Sequence, residues 1–257
     1  MGNPASSTLK DSEGDMGLKP EKPLGIKNYG SIGHLPNSRL GPGDHHVHAG
    51  QAVIATEKVR DKWDLVFVTE KLDGTNVGVL RRGSEVIALQ RKGYPADSSP
   101  HTMHRMFHDW AQENRKRFLD SLADGERFIG EWLALAHGTR YQLRHEPFVV
   151  FDVMVGPTRI NWSGIKERAA RGGFTTPHVL SNGFTLTVGD ALTSLGETGF
   201  HGGESVEGAV WRVERRGEFD FMAKYVRPDK VDGLYLPNDG VGDEVWNWKQ
   251  EIRAVAE

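Results

Sequence analysis

Residues 70–76 read Glu70-Lys71-Leu72-Asp73-Gly74-Thr75-Asn76 and lie between two strand-like runs, Asp64 to Thr69 before them and Val77 to Leu80 after them. A lysine beside a glycine turn is a common feature of hairpins, so Lys71-Leu72-Asp73-Gly74 gains meaning only from its surroundings. In a regular strand Lys71, Asp73 and Thr75 share one face, and Asn76 projects to the other unless the turn at Gly74 rotates it.

Downstream of this stretch, Arg82-Gly83-Ser84 turns the chain into Glu85-Val86-Ile87-Ala88-Leu89-Gln90, which makes a hairpin. Residues 101–122 carry helix formers with apolar marks at Met103, Phe107, Trp110, Phe118 and Leu122, and stop at Asp124-Gly125. Strands are expected at 126–135 and 147–155, and helices at 51–62, 163–171, 189–195 and 243–256. A second hairpin runs from Val206 to Glu214, turns at Arg215-Arg216-Gly217 and returns from Glu218 to Val226. Strands come mostly as hairpins rather than as strand–helix–strand units, so the expected class is α+β, with antiparallel sheets flanked by helices. Residues 1–23 are polar and punctuated by Gly, Pro and Ser, which reads as a flexible leader. One domain is expected over 24–257, with 24–50 a loop-rich N-terminal segment.

The 257 residues carry 32 Lys+Arg against 35 Asp+Glu, a formal net charge of −3, and no cysteine. The missing thiols exclude cysteine nucleophiles, Cys-ligated zinc and iron–sulfur chemistry, and fit a cytoplasmic protein without requiring one. The charge balance argues against a tail-driven nucleic-acid binder and leaves room for a local basic groove. The longest apolar run, Phe148 to Val155, is broken by Asp152 and falls far short of the ~20 residues of a membrane span, so no membrane partner is expected.

Lys71-Leu72-Asp73-Gly74-Thr75-Asn76 resembles the nucleotide-attachment motif of the covalent nucleotidyltransferase superfamily, the polynucleotide ligases and mRNA-capping enzymes. It is most similar to the ATP-dependent RNA ligase version, because DNA ligases and capping enzymes usually carry Arg where Asn76 stands. Five further stretches follow in the family's order. They are Arg91-Lys92-Gly93, Phe128-Ile129-Gly130-Glu131-Trp132, Phe148 to Val153, Val206-Glu207-Gly208-Ala209-Val210, and Phe219 to Arg227 with Lys224.

The resemblance implies a nucleotidyltransferase (adenylation) domain that joins RNA 5′-phosphate and 3′-OH ends, as in RNA repair, through lysyl-AMP and RNA-adenylate intermediates. It implies ATP and Mg2+ or Mn2+ as cofactors. Lys71 would be the nucleophile, Lys224 a donor to the α-phosphate and Glu207 the metal ligand. Glu70, Arg91, Glu131 and Phe151 would bind the nucleotide, with Phe148 the runner-up for stacking on the base. Asn76 and Asp73 would bind the RNA substrate. A free lysine, with a pKa near ~10.4, is protonated at neutral pH, so Arg91, Lys224 and burial are expected to depress that of Lys71.

The chain departs from the family pattern twice. The last motif usually has two lysines two apart, yet Met222 and Val226 flank Lys224, and Arg227 stands at an odd offset. Only about thirty residues follow Lys224, so no C-terminal OB domain is evident, and grip on RNA falls to the N-terminal segment or to a partner protein. The same residues admit a guanylyltransferase or DNA ligase of the superfamily, or a non-catalytic module binding nucleotide or RNA ends. Outside the motifs, Asp44-His45-His46-Val47-His48 reads as a solvent-facing or hydrogen-bonded loop more readily than as a metal site. His101, His104 and His108 share one helix face, partly buried.

Overall fold

The computed structural model describes residues 20–236 and 243–248, and in it the chain crosses from one five-stranded sheet to another at residues 72–74. The first sheet has the order β1 (Gly33–His34), β10 (Glu218–Val226), β9 (Gly208–Arg215), β2 (Asp64–Lys71), β8 (Val179–Asn182). The second has the order β4 (Glu85–Gln90), β3 (Thr75–Arg82), β5 (Glu126–Trp132), β6 (Phe148–Val155), β7 (Thr158–Arg159). Every strand pair is antiparallel except β1 with β10. The fold is therefore α+β with antiparallel sheets, as the hairpin spacing predicts. No helix among the described residues is long and apolar enough to cross a membrane.

Each sheet has its own helix-covered core. Helices α1 (Ala49–Thr56) and α5 (Val188–Leu195) bury Ala52, Ala55, Ala191 and Leu195 against Val66, Val68, Trp211 and Ala223 of the first sheet. Helices α2 (Thr102–Glu113), α3 (Arg115–Ser121) and α4 (Trp162–Gly172) bury Phe107, Trp110, Phe118 and Ile165 against Val77, Val79, Phe128 and Phe148 of the second. The other faces enclose a cavity. Along β2, Val66 and Val68 enter the core while Phe67, Thr69 and Lys71 line the cavity; along β9 the alternation is Trp211 and Val213 against Val210 and Arg212. Both faces of these strands are covered, which is why their sequences alternate only weakly.

One buried ion pair spans the two sheets: Arg212 Nη1 of β9 lies 3.2 Å from Asp152 Oδ1 of β6. Asp152 also pairs with Arg159 at 2.7 Å, and Arg212 with Glu214 at 2.7 Å.

Several expected elements are shorter than their sequence patterns. The helix expected over 51–62 ends at Thr56, because the Arg60 N–H and guanidinium both turn to the Asp64 carboxylate, at 2.9 and 2.8 Å. The helix expected over 101–122 is broken at Asn114, whose side-chain amide donates to the Trp110 carbonyl at 2.9 Å. The strand expected to reach 135 stops at Trp132. Residues 243–248 are not helical. Trp246 bridges to Leu135, the Ala136 N–H donates to the Val245 carbonyl at 2.8 Å, and the Asn247 amide donates to the Leu133 carbonyl at 2.8 Å. Their partners sit over a hundred positions earlier, beyond the reach of a local pattern. The rest of that expected helix, and the leader up to residue 19, lie outside the described residues.

Gly208 stands opposite Lys71 in the β2–β9 ladder at φ 153°, and a Cβ built there would lie 1.9 Å from the Tyr225 carbonyl oxygen. Gly208→Ala should therefore force β9 and β10 apart. We expect a loss of about 1–3 kcal/mol of unfolding free energy, measured by urea denaturation.

Candidate active site

The cavity between the sheets is walled by residues from six strands. Lys71 and Glu70 enter from the end of β2, Lys224 and Met222 from β10, Glu131 from β5, Phe151 from β6 and Asn76 from β3. Arg91, just past β4, closes one side. Seven of the nine residues that the sequence singles out thus line one cavity: Glu70, Lys71, Asn76, Arg91, Glu131, Phe151 and Lys224. The eighth, Glu207, touches it through Lys71, whose Nζ lies 2.5 Å from Glu207 Oε2.

The ninth, Asp73, turns away. Its carboxylate accepts the Gly138 N–H at 2.9 Å, and its own N–H donates to the Tyr141 hydroxyl oxygen at 2.9 Å. Thr75 likewise packs outside, its hydroxyl 2.8 Å from Met103 Sδ and 3.1 Å from His137 Nε2. The shared face expected for Lys71, Asp73 and Thr75 is therefore not present. Residues 72–74 leave strand geometry to pass between sheets, and this rotation brings Asn76 to the cavity beside Lys71. Gly74 is needed there, because a Cβ would lie 2.6 Å from the Trp132 carbonyl oxygen.

Phe151 reaches the cavity through a fault in the ladder. Ile129 pairs with Asp152 and Gly130 with Val150, which leaves Phe151 as the extra residue of a bulge. Its ring meets Tyr29 edge-on at 5.4 Å. Phe148, the alternative stacking residue, is 1% exposed within the second core and packs on Phe107, Trp110 and Phe118.

The electrostatics of Lys71 differ from the sequence expectation. Burial alone would depress its pKa, but the carboxylates of Glu207, Glu131 and Asp73 outweigh burial and hold it above the ordinary lysine value. Glu131 is pushed up to about 8, first by burial, against the attraction of Lys71, and Glu207 and Asp73 push it the same way. Its Oε1 accepts the Gly74 N–H at 3.1 Å. Burial likewise raises Glu207 against the pull of Lys71. Lys224 is depressed by burial and then by Lys71.

A carboxylate such as Glu207, buried beside the half-buried Glu131, offers only oxygen and suits Mg2+ or Mn2+ rather than a softer metal. Among the described residues no group of three or more His, Asp or Glu forms a ready metal cage, at Asp44–His48 or elsewhere. A divalent ion here would take most of its ligands from phosphate and water. Asn76 Oδ1 is buried in the cavity wall without a hydrogen-bond partner, a position that suits a polar ligand.

Sequence reading missed Tyr29, Thr69 and Arg212 in the wall. Arg212 was within reach, since it lies two residues beyond Val210 and on the same strand face. Lys230, 6% exposed, was also missed; its ammonium donates to the Gly138 carbonyl and the Thr139 hydroxyl at 3.0 and 2.7 Å, behind Asp73. Arg227 is not in the wall. It pairs with Asp229 at 2.7 Å. On α2, His104 is held to the Ser99 hydroxyl at 2.7 Å, and burial pushes it down to about 4.

Residues 64–226 match the family described as RNA ligase. Among solved structures the chain is similar to a Naegleria gruberi RNA ligase mutant with ATP and Mn, at 15% identity and a TM-score of 0.47, over 65% of this chain and 51% of that one. It is similar to another mutant of that ligase with AMP and Mn, at 14% identity and a TM-score of 0.49, over 79% and 61%. An archaeal ATP-dependent RNA ligase matches at 20% identity and a TM-score of 0.42, over 64% and 43%. The chain spans about half the length of the first of these. No curated protein sequence matches significantly.

Glu70 provides a pH test of the site. Burial raises its pKa to about 7, against a hydrogen bond from the Phe200 N–H at 3.0 Å. A carboxyl raised on folding binds its proton more tightly in the folded state. Its contribution to stability is therefore full below the unfolded carboxyl value and lost as pH rises through about 7. Glu70→Gln should remove about 3 kcal/mol of the decline in stability between roughly pH 4 and pH 8, measured by urea titrations across that range.

Proposed function

Because the chain belongs to the RNA ligase family, we propose that it is an ATP-dependent RNA ligase with Lys71 as the adenylated nucleophile. It would join an RNA 5′-phosphate to a 3′-OH. The observation that carries this reading is the gathering of Lys71, Glu131, Phe151 and Lys224 in the wall of one cavity, with Glu207 against the Lys71 ammonium.

In the first step Nζ of Lys71 attacks the α-phosphorus of ATP, a P–N bond forms, and pyrophosphate leaves with the electrons of the broken P–O bond. Attack needs the neutral amine, and by itself the protein favours the ammonium. That preference rests on Glu207, Glu131 and Asp73, while burial pulls the other way. Once Glu207 is no longer paired with it, burial and the neighbouring Lys224 both favour losing the proton. Glu207 would hold a divalent cation, which when bound supplies positive charge to the phosphates.

Lys224 would donate to the α-phosphate, where negative charge gathers in the transition state. Phe151 offers a flat apolar surface for the base, Glu131 and Arg91 polar partners for the ribose, and Glu70 an acceptor for an amino group on the base. Asn76 fits the later steps, in which AMP passes to the RNA 5′-phosphate and the 3′-OH displaces it.

Incubation with α-labelled ATP and Mg2+ or Mn2+, followed by denaturation, should leave covalent label that Lys71→Ala abolishes. Label from GTP alone would move the assignment to guanylyl transfer, and absence of label with either nucleotide would sink the enzyme reading. In the same assay Arg227→Ala should label within about twofold of the unaltered protein, because its guanidinium is already committed to Asp229. Lys224→Ala should lower the rate by about 100-fold, the order expected for loss of a donor aimed at developing charge.

A further inference from the structure

We propose that Asp44, in the N-terminal loop segment, is a positioning residue for Lys224, held in place by the Gly41 N–H beside the buried His34. The inference rests on the reading of this cavity as a nucleotidyl-transfer site and adds a residue that the family motifs do not include.

The geometry begins with β1. Its parallel pairing with β10 sets His34 directly opposite Lys224, and the Leu35 N–H donates to the Lys224 carbonyl at 2.8 Å. His34 is 1% exposed. Its Nδ1 lies 2.7 Å from Ser38 Oγ, and its Nε2 lies 3.0 Å from Asp44 Oδ2. Ser38 Oγ in turn accepts the Val226 N–H at 2.9 Å, two residues beyond Lys224. Gly41 donates its N–H to Asp44 Oδ2 at 3.0 Å. One carboxylate oxygen is thus held by the Gly41 N–H with the buried His34 ring beside it. The other, Oδ1, is left 3.6 Å from Lys224 Nζ.

That spacing matters. At 3.6 Å the attraction sets where the ammonium sits, yet the contact is too long to be a good hydrogen bond. The three N–H donors of Lys224 stay available to a phosphate. Lys224 also needs restraint, because its four-carbon stem is flexible and the nearby cations Lys71 and Arg91 both repel it. Burial lowers the pKa of His34, which favours the neutral ring; its Nδ1 meets the Ser38 hydroxyl, and its Nε2 lies beside Asp44 Oδ2 without hydrogen-bond geometry. Met222, which shares the strand face of Lys224 and lines the cavity, offers no charge of its own. Asp44 therefore organises the single lysine of that strand.

The test is the rate of covalent labelling by α-labelled ATP, in single-turnover reactions at saturating nucleotide. Asp44→Asn keeps the side-chain shape and an oxygen for the Gly41 N–H but removes the charge. It should slow labelling by about 10- to 100-fold, the scale expected when a reacting group is misplaced, with the melting temperature unchanged. Asp44→Glu should recover most of the rate.

A residue that acts through Lys224 has nothing to act on once the lysine is gone. In a Lys224→Ala background, Asp44→Asn should therefore change the rate by less than about twofold. Wild-type labelling by Asp44→Asn, or an undiminished loss in the Lys224→Ala background, would overturn the proposal. If the unaltered protein takes no label, nucleotidyl transfer itself is wrong and this inference falls with it.

Discussion

The ion pair between Arg212 and Asp152 is the constraint on which the rest of the site depends. Two sheets with an open cleft between them would close if apolar burial alone decided their spacing. Arg212 spans the gap with its guanidinium bound to Asp152 of one sheet and Glu214 of the other, and Glu214 also accepts the Trp162 N–H at 2.5 Å. The Phe219 ring faces both Arg212 and Arg159 at 4.9 Å. A buried network of this kind adds little net stability over a well-packed apolar alternative, because desolvating its charges costs about as much as their attraction returns. What it fixes is separation. Its charges must stay together or face an unpaired burial, so the sheets cannot slide without breaking it.

Within that fixed gap, Lys71 is a contest between two opposed effects. Burial favours the neutral amine, and three carboxylates favour the ammonium. The carboxylates win, and each bears a cost: Glu131 and Glu207 both titrate above the usual carboxyl range, with burial the leading cause. A site balanced in this way responds strongly to any charge brought into it, which suits the binding of a polyphosphate and a metal ion.

Much of this was legible in the sequence, and the reasons differ by residue. The hairpins β3–β4 and β9–β10 were readable because each is closed by a local turn at a glycine, Gly83 or Gly217, both with positive φ. Helices α4 and α5 were readable for a similar reason, since side-chain caps at Asn161 and Thr187 mark their starts. The edge strands β1 and β8 were not, because two to four residues carry no period and their pairing is decided by distant partners. The protonation of Lys71 was misjudged because the cationic neighbours were counted and the carboxylates were not. Glu207 lies 136 positions away and touches Lys71 only after β2 and β9 pair. The direction of Asp73 was misjudged because strand phase was carried through a turn that changes sheets, and that turn is what brings Asn76 to the cavity.

The pairing of β1 with β10 also bears on how the molecule comes into being. Tyr29 and Met222, 193 positions apart, meet across the cavity wall, and Ser38 holds the backbone at Val226. A ribosome extends the chain in one direction, so His34 waits for its partner Lys224 on β10 until nearly all of the described chain has been made. Contacts of such sequence separation are among the slowest to form. The core of the second sheet, whose buried residues end at Phe174, can condense earlier, but the core of the first sheet and the last wall of the pocket both wait for β9 and β10. The nascent protein can therefore fold its second sheet before the cavity between the sheets is closed.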